Sequence, residues 1–444
     1  MTNTTRLSGA GPLRCGVKFF MLRCARLEWG LLIHFMQIVN VIDNLHRNAK
    51  LPFMIKRDAQ NTINNLLQGF PIVTITGPRQ SGKTTLAKAM FSNKPYYSLE
   101  DPDVRQFVVD DPRGFLSGVS HGAVLDEIQQ APDLLSYLQT HVDKLSQTDL
   151  FLLTGSQHFG LMSDVTQSLA GRTAFVQLLP FSLHELQQAE MGPTELERML
   201  FIGGYPPLYD RKVTPNQWMP AYITAYLERD VRQLINVQDL EAFQRFLRLC
   251  AGRSAQVLNL SSLAADCGIT HNTAKAWISV LEASFIVFRL SPHHANFRKR
   301  LVKSPKIYFY DTGLMCRLLG IYDASQLAMH PLRGAIFETF VVSELQKFRF
   351  NYQKDVDLYY WRDSNGREID VVADFGGRLV PIEIKSGQTL NRDFFSGLEY
   401  WMKLAGALAF QPTLIYGGST EIMRKGIRVL SWKNVGQALD LELK

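Results

Sequence analysis
Residues Gly77-Pro78-Arg79-Gln80-Ser81-Gly82-Lys83-Thr84 fill every fixed position of the pattern GxxxxGK[ST]. Glycine lets the backbone curl until its N–H groups face phosphate oxygens, and a helix starting beside Lys83 adds a favourable dipole. On that reading Lys83 reaches the β- and γ-phosphates of a nucleotide, Thr84 ligates Mg²⁺, and Thr85 closes the binding stretch. A second group is Asp126-Glu127, two carboxylates ending the apolar run Ala123-Val124-Leu125. An acid at the carboxyl edge of a buried strand can hold a magnesium shell, and its neighbour can polarise an attacking water. Asp126 and Glu127 are assigned those roles. A third run, DLFLLTGSQ at 149–157, ends in small polar residues and offers Ser156 to the γ-phosphate. An ordinary turn explains Ser156 equally well.

The C-terminal region offers different chemistry. Gly376-Gly377 reads as the turn of a two-residue hairpin joining 367–375 to 378–385. Residue numbers of partners then sum to 753, so Asp370 faces Glu383 and Glu368 faces Lys385. Alternation sets these four on one face, with Ile369, Val371, Ala373, Val380, Ile382 and Ile384 on the other. Two facing carboxylates repel unless a cation separates them. A divalent metal held by Asp370 and Glu383 would remove the conflict, and Lys385 could orient or activate a water. The alternative is a solvated hairpin whose ion pairs contribute little.

These groups need elements to hold them. The run FPIVTIT at 70–76 predicts a buried strand ahead of the loop, and KTTLAKAM at 83–90 a helix after it. From Phe243 the pattern turns helical, and Ser262–Cys267, Gly268 and Thr270 read as helix-turn-helix. Strand-like runs at 285–290 and 306–310 follow, separated by a loop with Arg298, Lys299, Arg300 and Lys303. This middle resembles a winged helix. His271, Asn272 and Lys275 could meet a groove, and the basic loop phosphates. Interdomain packing is the competing role.

At 444 residues the chain has room for two to four domains. Its 46% apolar and 20% charged content excludes disordered, collagen-like and disulfide-scaffold classes. The net +7 is uneven: +5 over 1–53, −5 over 54–205, +6 over 206–330 and +1 over 331–444. Global basicity is therefore poor evidence for a polyanion partner. Cys15, Cys24, Cys250, Cys267 and Cys316 form no CxxC pair, which fits a reducing compartment. The apolar run 29–42 is too short to span a bilayer and lacks a signal-peptide cleavage pattern. A cytoplasmic protein without membrane contact is expected, with 1–53 a dispensable extension before a domain start at Met54.

Together GPRQSGKTT, LDEIQ, LLTGSQ, LAGR and PFSLHEL resemble the AAA-type module of a large set of prokaryotic ATP-binding proteins, which usually continue into a C-terminal domain of unknown function. The resemblance runs from about residue 54 to the end and includes Gly203-Gly204-Tyr205-Pro206. It implies nucleotide binding at Gly77–Thr84, carboxylates at Asp126 and Glu127, and a sensor-like Ser156. Arg172 of LAGR becomes a candidate charge-stabilising arginine, a structural role being equally plausible. The spacing Asp370-x(12)-Glu383-x-Lys385 after the helix around Glu338 resembles the PD-(D/E)XK nuclease core. That comparison makes Glu338 the helix acid, Asp370 and Glu383 metal ligands, and Lys385 the catalytic lysine, although no proline precedes Asp370.

The expected architecture is α/β: an AAA-type P-loop NTPase domain at 54–205, a helical and winged-helix-like domain at 206–330, and a restriction-endonuclease-like domain at 331–444. The expected function is Mg²⁺-dependent ATP hydrolysis, acting on DNA, with oligomerisation open. An ATP-gated metal-dependent nuclease and a nucleotide-switched scaffold that cuts nothing are the two alternatives.

Overall fold
The computed structural model describes residues 55–156, 169–227, 239–293 and 303–440. These belong to one unit, Ile55–Lys444. The expected extension 1–53 and the basic-loop residues Arg298, Lys299 and Arg300 lie outside the described residues.

Helix α1 (Ala59–Gly69) leads into β1 (Ile72–Thr76), whose five residues are all buried. Such a continuous apolar and β-branched run suits a strand covered on both faces. After the loop comes α2 (Lys83–Met90), then β2 (Tyr96–Ser98), β3 (Ala123–Asp126), α3 (Leu134–Leu145), β4 (Phe151–Gly155) and β5 (Thr173–Gln177). The sheet order is β2-β3-β4-β1-β5, and every pairing is parallel. Ile72 packs on one face with Leu125, Leu138 and Phe151, while Val73 and Ile75 pack on the other with Ile63, Leu86 and Val124. Each of these side chains stabilises the fold by roughly 1.5–3 kcal/mol when buried. Because the strands run the same way, the ends of β1, β3 and β4 share one edge, and Thr76 pairs with Gly155 there. The parallel topology thus gathers the loop at 77–82, Asp126 and Ser156 from distant parts of the chain.

Helix α4 (Leu183–Gln188) starts at a capping box in which Ser182 and Glu185 satisfy each other's backbone N–H groups. In the middle region α5 (Leu240–Gly252), β6 (Gln256–Val257), α6 (Leu260–Cys267), α7 (His271–Ala283), β7 (Val287–Leu290) and β8 (Lys306–Phe309) follow in order. The three strands form an antiparallel sheet, β6-β8-β7. Between α6 and α7, Gly268 turns at φ 70° and the Thr270 side chain caps α7 through the Thr273 N–H. Cys250, Cys267 and Cys316 are buried free thiols.

The last region runs α8 (Arg333–Tyr352), β9 (Asp357–Arg362), β10 (Glu368–Asp374), β11 (Leu379–Lys385), α9 (Ser396–Ala405), β12 (Thr413–Tyr416), β13 (Ile422–Arg424) and β14 (Ile427–Ser431). Its sheet order is β13-β14-β12-β11-β10-β9, with β9, β10 and β11 antiparallel and β12 parallel to β11. Helix α8 buries residues on all sides because it lies inside the molecule. Phe337, Val341 and Leu345 join a core that extends from Ile55 to Leu439, while the β1–β5 sheet keeps two clusters of its own. The other face of the sheet packs Trp361, Ile369 and Val372 against Leu398 and Trp401 of α9. No described helix is long and apolar enough to cross a membrane.

The hairpin departs from its expected form in one respect. Gly376 and Gly377 turn with φ 69° and 103°, and Val371 to Asp374 pair with Ile382 to Leu379 in the expected register. Against β9, however, the register shifts between Ile369 and Val372, which marks an irregularity in β10. Strict alternation therefore fails: Val371 and Ala373 enter the large core, while Ile369 joins Val372 on the α9 side. The expectation that Glu368, Asp370, Glu383 and Lys385 share a face, with Ile369 behind them, is corrected accordingly.

Candidate nucleotide and carboxylate sites
The loop after β1 is shaped by close backbone approach. At Gly77 a Cβ would stand 2.1 Å from the Leu178 carbonyl oxygen, so only glycine fits without displacing β5's extension. Lys83 is buried and curls back, its Nζ donating to the carbonyls of Gly77 at 3.0 Å and Pro78 at 2.9 Å. The Thr84 hydroxyl lies 3.0 Å from both oxygens of Asp126. Asp126 also accepts from the Tyr96 phenol at 2.7 Å and from the Thr154 hydroxyl. Burial, and then Asp126, raises the Tyr96 pKa, so the phenol remains a donor.

Glu127 sits in the left-handed region at φ 55°, its N–H donating to Thr154 Oγ1 at 3.1 Å. Its Oε2 accepts from Ser156 Oγ at 3.0 Å and from the Gln129 side-chain amide, which is also 3.2 Å from Ser156 Oγ. Gln129 and Ser156 together fix the direction of this carboxylate. The cleft beside them measures about 440 Å³, and Arg79, Gln80, Gly82, Lys83, Thr84 and Thr85 are among its lining residues. That is the size of an ordinary small-ligand pocket. Pro206 closes another wall, brought there because Gly204 N–H donates to the buried Asp311 carboxylate at 2.7 Å. Thr84 and Asp126 offer a hydroxyl and a carboxylate side by side, a donor set suited to Mg²⁺ that also touches phosphate.

Arg57, absent from the sequence-based assignment, supports this loop from behind. Its guanidinium donates to the Ser81 carbonyl at 2.7 Å, the Leu179 carbonyl at 2.6 Å and Glu185 Oε1 at 2.9 Å. The available signal was the Ser182-x-x-Glu185 capping box, which left one carboxylate oxygen for a buried partner. Tyr96, Gln129 and Thr154 had only a weak signal, their place at or beside strand ends. Arg172 is the clear correction. It lies at the amino end of β5, beside Ile72 rather than Thr76, where its guanidinium forms a two-point ion pair with Asp143 at 2.6 and 2.8 Å. The length of β1 separates it from the loop, so it does not reach this chain's γ-phosphate position.

The second site lies between α8, β8, β10 and β11. Carboxylate oxygens of Glu338, Glu368 and Asp370 lie within 4.8 Å of one another. Glu338 Oε1 accepts from Lys306 Nζ at 2.9 Å and from the Tyr308 phenol at 2.6 Å. Lys306 also pairs with Glu368, whose other oxygen is 3.5 Å from Arg362. Glu368 thus faces Lys306 and not Lys385, as a result of the β10 irregularity. Asp370 Oδ2 accepts the Ile384 N–H at 2.8 Å, and Lys385 Nζ donates to Glu383 Oε1 at 2.6 Å. Glu383 Oε2 is buried without a hydrogen-bond partner among the described residues. Burial, and next the Asp370 charge, pushes Glu338 up to about 7 and Glu383 up to about 8. Three carboxylates would suit a hard divalent cation, but in this arrangement a buried ammonium already contacts two of them. Lys306 and Tyr308 escaped the sequence reading because they belong to β8, which appeared only as a strand of the middle region.

A parallel sheet with a glycine-cornered loop, a lysine and threonine opening the helix after it, and paired carboxylates at the end of the next strand but one defines an AAA-type P-loop ATPase domain. The AAA domain family matches residues 69–187, a domain of unknown function (DUF8612) matches 193–325, and another (DUF4143) matches 333–435. The chain belongs to the family of the uncharacterized proteins Rv2008c of Mycobacterium tuberculosis and Mb2031c of Mycobacterium bovis. Each is 34% identical over 338 residues, 75% of this chain and 74% of theirs. Among solved structures, a Walker-type ATPase of Pyrococcus abyssi overlaps 60% of this chain and 99% of its own at 15% identity and a TM-score of 0.42. RuvB of Thermotoga maritima overlaps 52% of this chain and 88% of its own at 17% identity and a TM-score of 0.29.

Proposed function
We propose that the chain hydrolyses ATP at the cleft beside Lys83 and couples the reaction to work on nucleic acid. The observation that carries the first part is the convergence of Lys83, Thr84, Asp126 and Glu127 on one cleft at the carboxyl edge of the sheet. Backbone N–H groups of the loop hold phosphate oxygens, and Lys83 exchanges its two carbonyl partners for the β- and γ-phosphates. Thr84 and Asp126 would hold Mg²⁺, which when bound neutralises charge on the phosphates. Glu127 orients the attacking water and accepts its proton, while Ser156 and Gln129 keep the carboxylate aimed. The test is steady-state ATP turnover with Mg²⁺ in wild type and Lys83→Ala. Turnover retained in the variant removes the assignment.

The order α5-β6-α6-α7-β7-β8 supports the winged-helix reading of the middle region, and His271, Asn272 and Lys275 are exposed at the start of α7. A steep fall of DNA affinity with salt would support contact there. Affinity that ignores salt would remove phosphate contact from the account.

A second reading has its own support. The succession α8-β9-β10-β11-α9-β12, with Glu338, Asp370, Glu383 and Lys385 near one another, is consistent with a restriction-endonuclease-like domain. On that reading Asp370 and Glu383 hold metal and Lys385 orients water. The assay is single- and double-stranded DNA and RNA incubated with Mg²⁺ or Mn²⁺, with and without ATP, in wild type and Asp370→Ala. No degradation of any substrate with either metal would favour the scaffold alternative.

A further inference from the structure
Lys306 is among the largest fully buried side chains in the molecule, 2% exposed, and it is charged. A buried ammonium persists only where carboxylates and hydrogen bonds replace its lost water. Here those partners come from another region: Lys306 lies on β8 of the middle sheet, Glu338 on α8 and Glu368 on β10. The adjacent Tyr308 phenol, from the same strand, donates to the same oxygen of Glu338 that Lys306 contacts. The pair thus projects from one sheet into the carboxylates of the next.

Nζ lies within bonding distance of two of the three residues whose oxygens cluster within 4.8 Å. A divalent ion binds carboxylate oxygens at roughly 2.0–2.6 Å, and so would need much the same space. Two cations that close repel strongly in a site only partly open to water. Glu383 of β11 is not one of the three: its Oε2 lies against Gly397 of α9, and Lys385 serves its other oxygen. Three clustered carboxylates thus share one buried ammonium, with Arg362 3.5 Å from Glu368.

We propose that Lys306 is the resident cation of the C-terminal carboxylate site, an internal lock that excludes divalent metal until its ammonium withdraws from Glu338 and Glu368. The lock belongs to the middle region, so a displacement of β8 relative to α8 opens the site. This holds whether or not the chain cuts nucleic acid, and its test does not measure cleavage.

The test is a Mn²⁺ titration of the full, nucleotide-free chain, with free Mn²⁺ followed by electron paramagnetic resonance. Wild type is expected to show no site that Asp370→Asn removes. Lys306→Met is expected to gain one Mn²⁺ per chain, at least about tenfold tighter than any wild-type binding there, and to lose it in Lys306→Met/Asp370→Asn. Lys306→Arg, which keeps the charge, should remain closed. Removing the ammonium also leaves two half-buried carboxylates without their main partner, so thermal melting of Lys306→Met is recorded with and without millimolar Mn²⁺. Mn²⁺ should restore the folding or melting temperature of Lys306→Met and leave that of wild type unchanged. An Asp370-dependent site already as tight in wild type overturns the proposal. So does a Lys306→Met chain that gains no Mn²⁺, or one that stays unfolded with Mn²⁺ present.

Discussion

The Ser156 hydroxyl donates to Oε2 of Glu127 at 3.0 Å, so the acid after β3 is held by the residue after β4. Gln129 contacts both groups, and the three side chains form a closed arrangement at the cleft. Glu127 itself occupies a left-handed backbone conformation, uncommon for a residue with a side chain and often found where function constrains geometry.

The consequence for catalysis is a graded series. Glu127→Gln should keep nucleotide affinity and lose at least about a hundredfold in kcat, the usual contribution of a general base. Gln129→Ala should reduce kcat by about tenfold with nucleotide Kd unchanged, since it removes one hydrogen bond to a charged group. Steady-state turnover and nucleotide titration separate the two quantities. A Gln129→Ala enzyme altered in Kd alone would contradict the positioning role.

Arg57 joins loop and domain stability. Its side chain is 6% exposed and faces the fully buried Glu185. Removing one partner of a buried pair strands the other charge, so Arg57→Ala should lower the unfolding free energy by about 3–5 kcal/mol. Adding Glu185→Gln should recover part of that loss. Urea unfolding of the two variants checks the coupling.

Arg172→Ala should leave ATP turnover by the single chain unchanged. The residue is half-buried and ion-paired with Asp143 at the far end of β1's neighbour. A large fall in kcat at protein concentrations where the chain is monomeric would refute that placement.

The pH dependence of folding should include a small contribution from His184. Its hydrogen bond to Asp58, at 2.8 Å, raises the imidazole pKa against the opposing effect of burial. A raised value means the folded state binds the proton more tightly. The resulting stabilisation is fully present below the unfolded value near 6.5 and is lost as pH rises through the folded value. Denaturation midpoints of wild type and His184→Ala should therefore differ more at acidic than at alkaline pH. Because half the side chain is exposed, the difference will be small.

Legibility differed between the two sites for a physical reason. At the nucleotide site, function demands local backbone geometry: Gly77 cannot carry a side chain against Leu178, and Lys83 and Thr84 must open a helix immediately after the turn. Those demands are written in consecutive residues. The hairpin was legible for the same reason, since Gly376-Gly377 dictates its turn and the register from Val371 to Asp374 follows. One irregularity against β9 was enough to send Glu368 away from Lys385.

Helix α8 shows what a linear reading misses. Its Glu344 accepts the Leu183 N–H at 2.8 Å, its Asn351 carbonyl accepts the Thr62 hydroxyl at 2.7 Å, and its Glu338 receives Lys306. Each contact joins residues far apart in sequence. The sequence by itself determined the phosphate loop, the strands around it and the hairpin, because local sterics and alternation encode them. Only the tertiary structure decided which charge meets which, because a buried ion pair depends on what surrounds it in space. That is how Arg57 came to support the loop, Arg172 to lie away from it, and Lys306 to enter the carboxylates of another region.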